Sequence, residues 1–438
     1  MGRSYFRGVV VLAGLLLLGA AGMLSFQYAR SGPASGSAGT AASRAGVALT
    51  EADRMGTRYT ALPADLTLPP RVKEIPIEIR LDSIWGGTGR DVAGHIWVGA
   101  SDRDAGGSAH LLEYAPESGT MIDHGDVVSE LKEAGVYRQG EGQIKLHTKI
   151  VQGEDGYLYF ASFDEEGEDP NAGLVSKWGG HFWRYKPGNA HWEHIRSVPQ
   201  ALVSVAGNGN WIYALGYWDH VLFQYDTRKQ TWRQIKVGSV REHVSRNIVV
   251  DRRGHVYVPR ARELRAGEAA AGEGQEFAAE LVEFDTDLKE VASTPLAFYA
   301  ARHDSHGLIG LSYLEDGTIV VSTHIGYLYR ITPHEGAAAS VDAVGWIDPK
   351  GVTYPASLFP IDGKRYLAAV VQVEGGFDWV VYDLLKKQSQ AQKFNIKPAY
   401  GLLYGSSTRD NQGRFYVVGQ QNGPDGRRPV MLQVEMQN

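Results

Sequence analysis

Histidine, arginine, tyrosine and tryptophan recur along this chain beside turns, in groups that could grip an acidic sugar and move its protons. Lys145 and His147 open the run QIKLHTKIVQGEDGYLYF, and Trp178 and His181 sit in KWGGHFWRY. Tyr217, Trp218, Asp219 and His220 are consecutive. Arg241, His243 and Arg246 follow, then Arg260 and Arg262, then His303, Asp304, His306 and His324, and finally Tyr354, Tyr400 and Tyr404. A guanidinium forks a carboxylate through two N–H groups, while aromatic faces pack on a sugar ring. Imidazole and phenol are the acid–base groups that can remove a proton from carbon next to a carboxylate. The candidate catalytic residues are therefore His147, Tyr217, His220 and His243. The candidate substrate-binding residues are Lys145, Trp178, His181, Trp218, Arg246, Arg260 and Arg262.

A rival chemistry uses a metal. His303, His306 and His324 offer nitrogen ligands for a divalent ion such as zinc or manganese, with calcium a further candidate cofactor, although their spacing matches no specific metal motif. A glycosidase would need a carboxylate pair. Asp164, Glu165 and Glu166 lie in one acidic run, and Asp219 and Asp304 stand singly among bases, so that reading is weaker. No Gly-x-Ser-x-Gly elbow and no phosphate-cradling loop between strand and helix is present.

Residues this far apart need a scaffold that brings them together, and the chain contains one repeated unit. A turn glycine followed by a β-rich run occurs at Gly94, Gly156, Gly209, Gly254, Gly317, Gly363 and Gly413, with steps from 45 to 63 residues. Gly accepts the positive φ that such turns demand. A second apolar strand trails each glycine, as in HLLEYAPESG from His110 and VLFQYDTRKQ from Val221. A period near fifty with several short strands per unit is that of a β-propeller, here all-β with seven four-stranded blades. The last unit ends after its third strand. Glu74 to Leu81, EIPIEIRL, has no blade of its own, so it is expected to supply the missing outer strand and close the ring, removing open edges. On this geometry the connections before each inner strand, and those between second and third strands, open on one face. The candidate residues fall in those connections.

The 438 residues carry a net charge of −6, which argues against a general nucleic-acid binder, and no Cys, which excludes disulfides, thiolate metal sites and a Cys nucleophile. Residues 1–30 read as a signal peptide or membrane anchor: Arg3 and Arg7 precede the 19-residue apolar run from Gly8 to Phe26, just long enough to span a bilayer. An uncleaved anchor is slightly favoured. The positive-inside rule then places the rest outside the cytoplasm, in the periplasm or another extracytoplasmic space, tied to the membrane through residues 8–26. Residues 31–70 are a flexible tether, and the propeller occupies 71–438. A short helical turn is expected at Leu49 to Arg54 and another within Ser129 to Gly142. Asp164 to Gly180 and Glu263 to Glu276 are long insertions, a length that in a compact domain points to function.

The run QIKLHTKIVQGEDGYLYF, the GGHFWRY segment and the basic face of blades three to five resemble the seven-bladed propeller polysaccharide lyases. That group includes ulvan lyases, oligogalacturonate lyases and rhamnose–glucuronate lyases. The resemblance covers the repeat region and implies β-elimination of a uronate polymer by His, Tyr and Arg in a central funnel, with a metal in some members. The complete His-rich metal set of the oligogalacturonate lyases has no match here. Under this reading Arg260 or Arg246 would pair with the substrate carboxylate, His147 or His220 would take the proton, and Tyr217 or a second His would return one. The expected partner is an anionic polysaccharide or oligosaccharide, with no nucleic acid, on a monomeric chain. A non-catalytic envelope propeller that binds glycan or protein is the alternative.

Overall fold

The computed structural model describes residues 62–103, 107–169, 173–240, 243–268, 276–300, 302, 306–396, 400–404, 408–424 and 426–437. The signal or anchor segment, residues 31–61 of the tether, and the helical turn expected at 49–54 lie outside the described residues. Among those described, no helix is long and apolar enough to cross a membrane.

Seven antiparallel sheets form, each in simple up-and-down order. Blade one runs Thr88–Arg90, Ile96–Ala100, His110–Ala115 and Thr120–Asp126, from axis to rim. The inner strands of blades two to five are Val151–Gln152, Leu202–Asn208, Val249–Val250 and Leu308–Tyr313. Blade six splits its inner strand into Tyr354–Pro355 and Phe359–Pro360, because each piece ends in a proline that cannot donate to the ladder. A cluster of buried apolar side chains fills the interface between every pair of neighbouring blades. The core is therefore a ring of seven wedges rather than a single centre.

The ring closes as expected, but two residues of the expected segment do the work rather than eight. The closing strand is Arg71–Ile75, paired antiparallel with Gly426–Glu435 in the register Arg71↔Glu435 to Ile75↔Met431. Pro76 has no N–H for the ladder and ends the strand there. Ile77 and Ile79 instead pack, half-buried, on the interface between blades seven and one.

The turn glycines carry a companion that glycine spacing alone does not reveal. In blades one, four and seven an Asp stands three residues before the glycine: Asp91, Asp251 and Asp410. Asp91 accepts hydrogen bonds from the backbone N–H of Gly94 (2.9 Å) and His95 (3.0 Å) and from Trp97 Nε1 (3.0 Å). Asp251 does the same for Arg253 N, His255 N and the Tyr257 hydroxyl, and Asp410 for Gln412 N, Arg414 N and the Tyr416 hydroxyl. The short helix Val127–Glu133 begins two residues before the segment expected to hold one, capped by Asp126, which accepts from Ser129 N at 3.0 Å.

Candidate functional site

The chain segments entering the inner strands converge on the mouth of the axial channel. A depression there is lined by Trp85, His147, Lys149, Arg246, Tyr354 and Tyr404, among others, so blades one, two, four, six and seven all contribute. His306 reaches the same place from blade five, where Arg246 NH2 donates to its Nε2 at 3.3 Å. Arg246 lies over the Tyr404 ring, 4.6 Å from its centroid, and no carboxylate pairs with it among the described residues. Its charge depresses its neighbours. Burial first, and Arg246 second, hold His147 well below the usual imidazole range and pull Lys149 down to about 8.

Hydrogen bonding sets which ring nitrogens are available. His147 Nδ1 donates to the Val203 carbonyl at 3.2 Å, which leaves Nε2 as an acceptor. His306 Nε2 accepts from Arg246, so its proton sits on Nδ1, a buried atom with no partner among the described residues. The Tyr354 hydroxyl is likewise buried and unpartnered, and burial raises its pKa. His324 accepts the His306 backbone N–H on Nδ1 at 3.3 Å, and its ring lies 5.3 Å from that of Tyr354. The mouth thus presents protonated donors and cations, the complement of an anion.

That arrangement fits a metal poorly. His303 lies outside the described residues. Of the other two proposed ligands, each has spent one nitrogen on a protein donor, and Arg246 stands on His306. The Arg246 charge beside His306 also opposes a second cation there. Two further His–carboxylate groups, Asp91 with His95 and Glu113, and Asp251 with His255 and Glu283, are the repeated turns described above. Arg253 already fills the second one, with Nε 2.8 Å from Asp251 and NH2 2.7 Å from Glu283.

The remaining candidates divide clearly. Lys145 is buried at the edge of the mouth, ion-paired with Glu165 and 4.7 Å from the Trp85 ring centroid. Tyr217 hydrogen-bonds to Glu168, a carboxyl on the Asp164 to Gly180 insertion. Arg260 and Arg262 are not in the funnel: Glu280 and Glu290 hold Arg260, and Glu280 and Glu268 hold Arg262, all within 3.1 Å. Two basic residues on one strand face attract carboxylates from the adjacent strand and loop, which sequence order does not display. His181 is fully buried, with Nε2 2.8 Å from Glu141, whose carboxylate Arg138 also grips. Hydrogen bonds from His181 and Arg138 overcome burial and bring Glu141 down to about 2. Trp178 donates to Glu166 at 2.7 Å and lies under Arg138 and Lys177 on the rim.

The His220 and His243 rings lie against each other, 4.7 Å between centroids and tilted by 50°, wholly inside the protein, and the Tyr299 hydroxyl hydrogen-bonds with His243 Nε2 at 3.1 Å. Trp218 is buried beside them in the chain, and both Trp218 (φ 75°) and His220 (φ 49°) take positive φ. Arg241 lies outside the described residues, and Tyr400 donates to Glu74 at 2.7 Å, on the closing strand. Lys149 and Trp85 were missed as site residues. Lys149 shares its side of the blade-two entry with Lys145 and His147, an i, i+2, i+4 alternation that could have found it.

No protein-family model matches this chain, and no curated protein does. Solved structures do resemble it. YCF48 from Cyanidioschyzon merolae superposes with TM-score 0.50 at 14% identity, over 83% of this chain and 98% of its own. The Cps50 (Swd1) β-propeller domain from Myceliophteria thermophila gives 0.49 at 10% identity, over 84% and 100%. A fungal alcohol oxidase in complex with copper gives 0.49 at 11% identity, over 85% and 77%. At these identities the likeness concerns the fold alone.

Proposed function

We propose that this propeller is an exported lyase that cleaves a uronic-acid-containing polysaccharide by β-elimination at the channel mouth. The observation that carries the reading is a set of donors without an acceptor: buried His306 Nδ1–H and the Tyr354 hydroxyl, beside Arg246, which has no carboxylate partner among the described residues. A buried donor left unmade costs about 1–3 kcal/mol, so such a set favours a ligand that brings acceptor oxygens. A uronate carboxylate is one.

In this reading Arg246 and Lys149 hold the carboxylate and stabilise the enolate-like charge that develops when the C5 proton leaves. His147 Nε2 takes that proton, with the ring fixed by Val203. Carboxylate binding offsets the field of Arg246, so the imidazole becomes a stronger base as the substrate arrives. Electrons of the C5–H bond form the C4–C5 double bond as the C4–O bond breaks, and Tyr354 gives its proton to the departing oxygen. Of the alternatives left open by sequence, this reading takes His147 over His220 and Arg246 over Arg260, and it replaces Tyr217 as proton donor by Tyr354, which was not among them.

The test incubates the full chain in mild detergent with a panel of uronate polymers, with and without chelator, and follows ultraviolet absorbance of the conjugated product. General acid–base help is worth about 10² to 10⁴ in rate, so His147→Ala should fall by that factor with the fold intact. Glycan binding without any rise in absorbance would make the protein a binding module instead.

A further inference from the structure

The long connection between the second and third strands of blade two, absorbed by no step above, sets two carboxyl groups beside the cations of the mouth. Glu165 pairs with Lys145 and, at 3.3 Å, with Arg103, whose guanidinium also lies 4.7 Å from the Trp85 ring centroid. Glu165 is therefore already matched by charge. Glu168 is not. It is half-buried, Tyr217 hydrogen-bonds to it, and its Oε2 is enclosed with no donor among the described residues. Glu165 and Asp164 stand near enough to repel a second negative charge, and Asp164 itself has an enclosed, unpartnered Oδ2.

We propose that occupancy of the mouth is proton-linked through Glu168: protonated, it leaves the mouth net cationic and receptive to an anion, and ionised, it opposes the anion with its own charge. The proposal rests on the mouth being an anion site. Burial and then Glu165 push the Glu168 carboxyl up to about 7, with Lys145 and the Tyr217 hydrogen bond pulling the other way. The group therefore changes charge in the neutral range rather than near the usual carboxylate value of about 4. An incoming anion raises its affinity for a proton further, so binding and proton uptake reinforce each other.

Two measurements on the full chain in mild detergent test this. The first needs no ligand: pH-difference infrared spectroscopy should find a protonated carboxyl band that vanishes between about pH 6 and 8, and Glu168→Gln should lack it. The second is calorimetry with sodium D-glucuronate in two buffers of different ionisation heat. Wild type should take up as much as about half a proton per anion near pH 7, and its affinity should fall by up to tenfold per pH unit above that point. Glu168→Gln should bind with no such dependence between about pH 5.5 and 6.8, below the range in which Lys145 and Lys149, both near 8, lose charge. A missing infrared transition, or identical proton uptake in Glu168→Gln, overturns the linkage while leaving the anion site standing. A normal infrared transition with no glucuronate binding at any pH overturns the anion site, and the linkage with it.

Discussion

Replacing Arg246 with alanine should separate a binding residue from a structural one. At about 4 Å, two unit charges near a protein surface interact by about 4 kcal/mol at an effective dielectric of about 20. Arg246 is partly exposed and Lys149 stays in place beside it, so the expected loss for a bound carboxylate is smaller, about 2–3 kcal/mol, or about 30- to 150-fold in affinity. Stability should move the other way or not at all. Arg246 depresses Lys145, Lys149 and His147, and removing it relieves that repulsion. Set against this are the loss of its stacking on Tyr404, about 0.5–1 kcal/mol, and of its long hydrogen bond to His306, about 0.5–1 kcal/mol. Titration calorimetry with a uronate oligomer and urea denaturation of the same sample give both numbers. Arg246→Lys should recover part of the affinity, since an ammonium keeps the charge but not the two-pronged geometry. Affinity within threefold of wild type, or a stability loss above about 2 kcal/mol, would refute the assignment and make Arg246 a scaffold residue.

Ile75→Ala empties a buried position in the closing strand and should cost about 2–4 kcal/mol by thermal or urea unfolding; an unchanged midpoint would mean the ring does not depend on that strand. Arg260→Lys should leave turnover near wild type, because Arg260 serves Glu280 and Glu290 rather than the mouth; a hundredfold loss in kcat would return it to the site. Lys145 is held at about 8, chiefly by burial, against 10.5 when unfolded. The native state therefore sheds its proton first, the unfolded state binds more protons above that point, and from pH 8 to 9.5 Lys145 should add about 1.5 kcal/mol of stability and Lys149, also near 8, about as much again. A falling urea midpoint over that interval, or the same rise in Lys145→Met, would contradict the burial.

How much of this was legible in the sequence depends on what each feature needs. Propeller and blade number follow from glycine punctuation, because a tight turn requires positive φ wherever it occurs: Gly94, Gly156, Gly209, Gly254, Gly317, Gly363 and Gly413 all take it. Closure was legible from a missing strand, but its bounds were set by Pro76, a residue inside the segment expected to pair. The Asp partner of the turn was present in the letters, as Asp91, Asp251 and Asp410 three residues ahead of the glycine. Its meaning lies in the aromatic group three residues beyond, so it needs both sides of the turn at once.

The site divides along the same line. Lys145, His147, Arg246 and His306 lie on approaches to inner strands and gather toward the axis, whereas His243, on the same approach as Arg246, is buried against His220. Of the residues placed by the end of a second strand, His324 reaches the mouth, while Arg260 and Arg262 do not. Arg260 and Arg262 stand far enough along Val256–Glu263 to meet Glu280 on the paired strand Phe277–Phe284, where the register sets Arg260 opposite Glu280. Register decides that meeting, and a single sequence does not print it. His220 fails for a third reason: it is buried against His243, on a turn where Trp218 and His220 both take positive φ. The face of a propeller can thus be read from order, whereas the charge of its mouth depends on which cations have already found a carboxylate. Arg246 is a cation at the axis whose neighbours are a tyrosine ring and a histidine instead of an acid, and that difference separates it from Arg260 and Arg262.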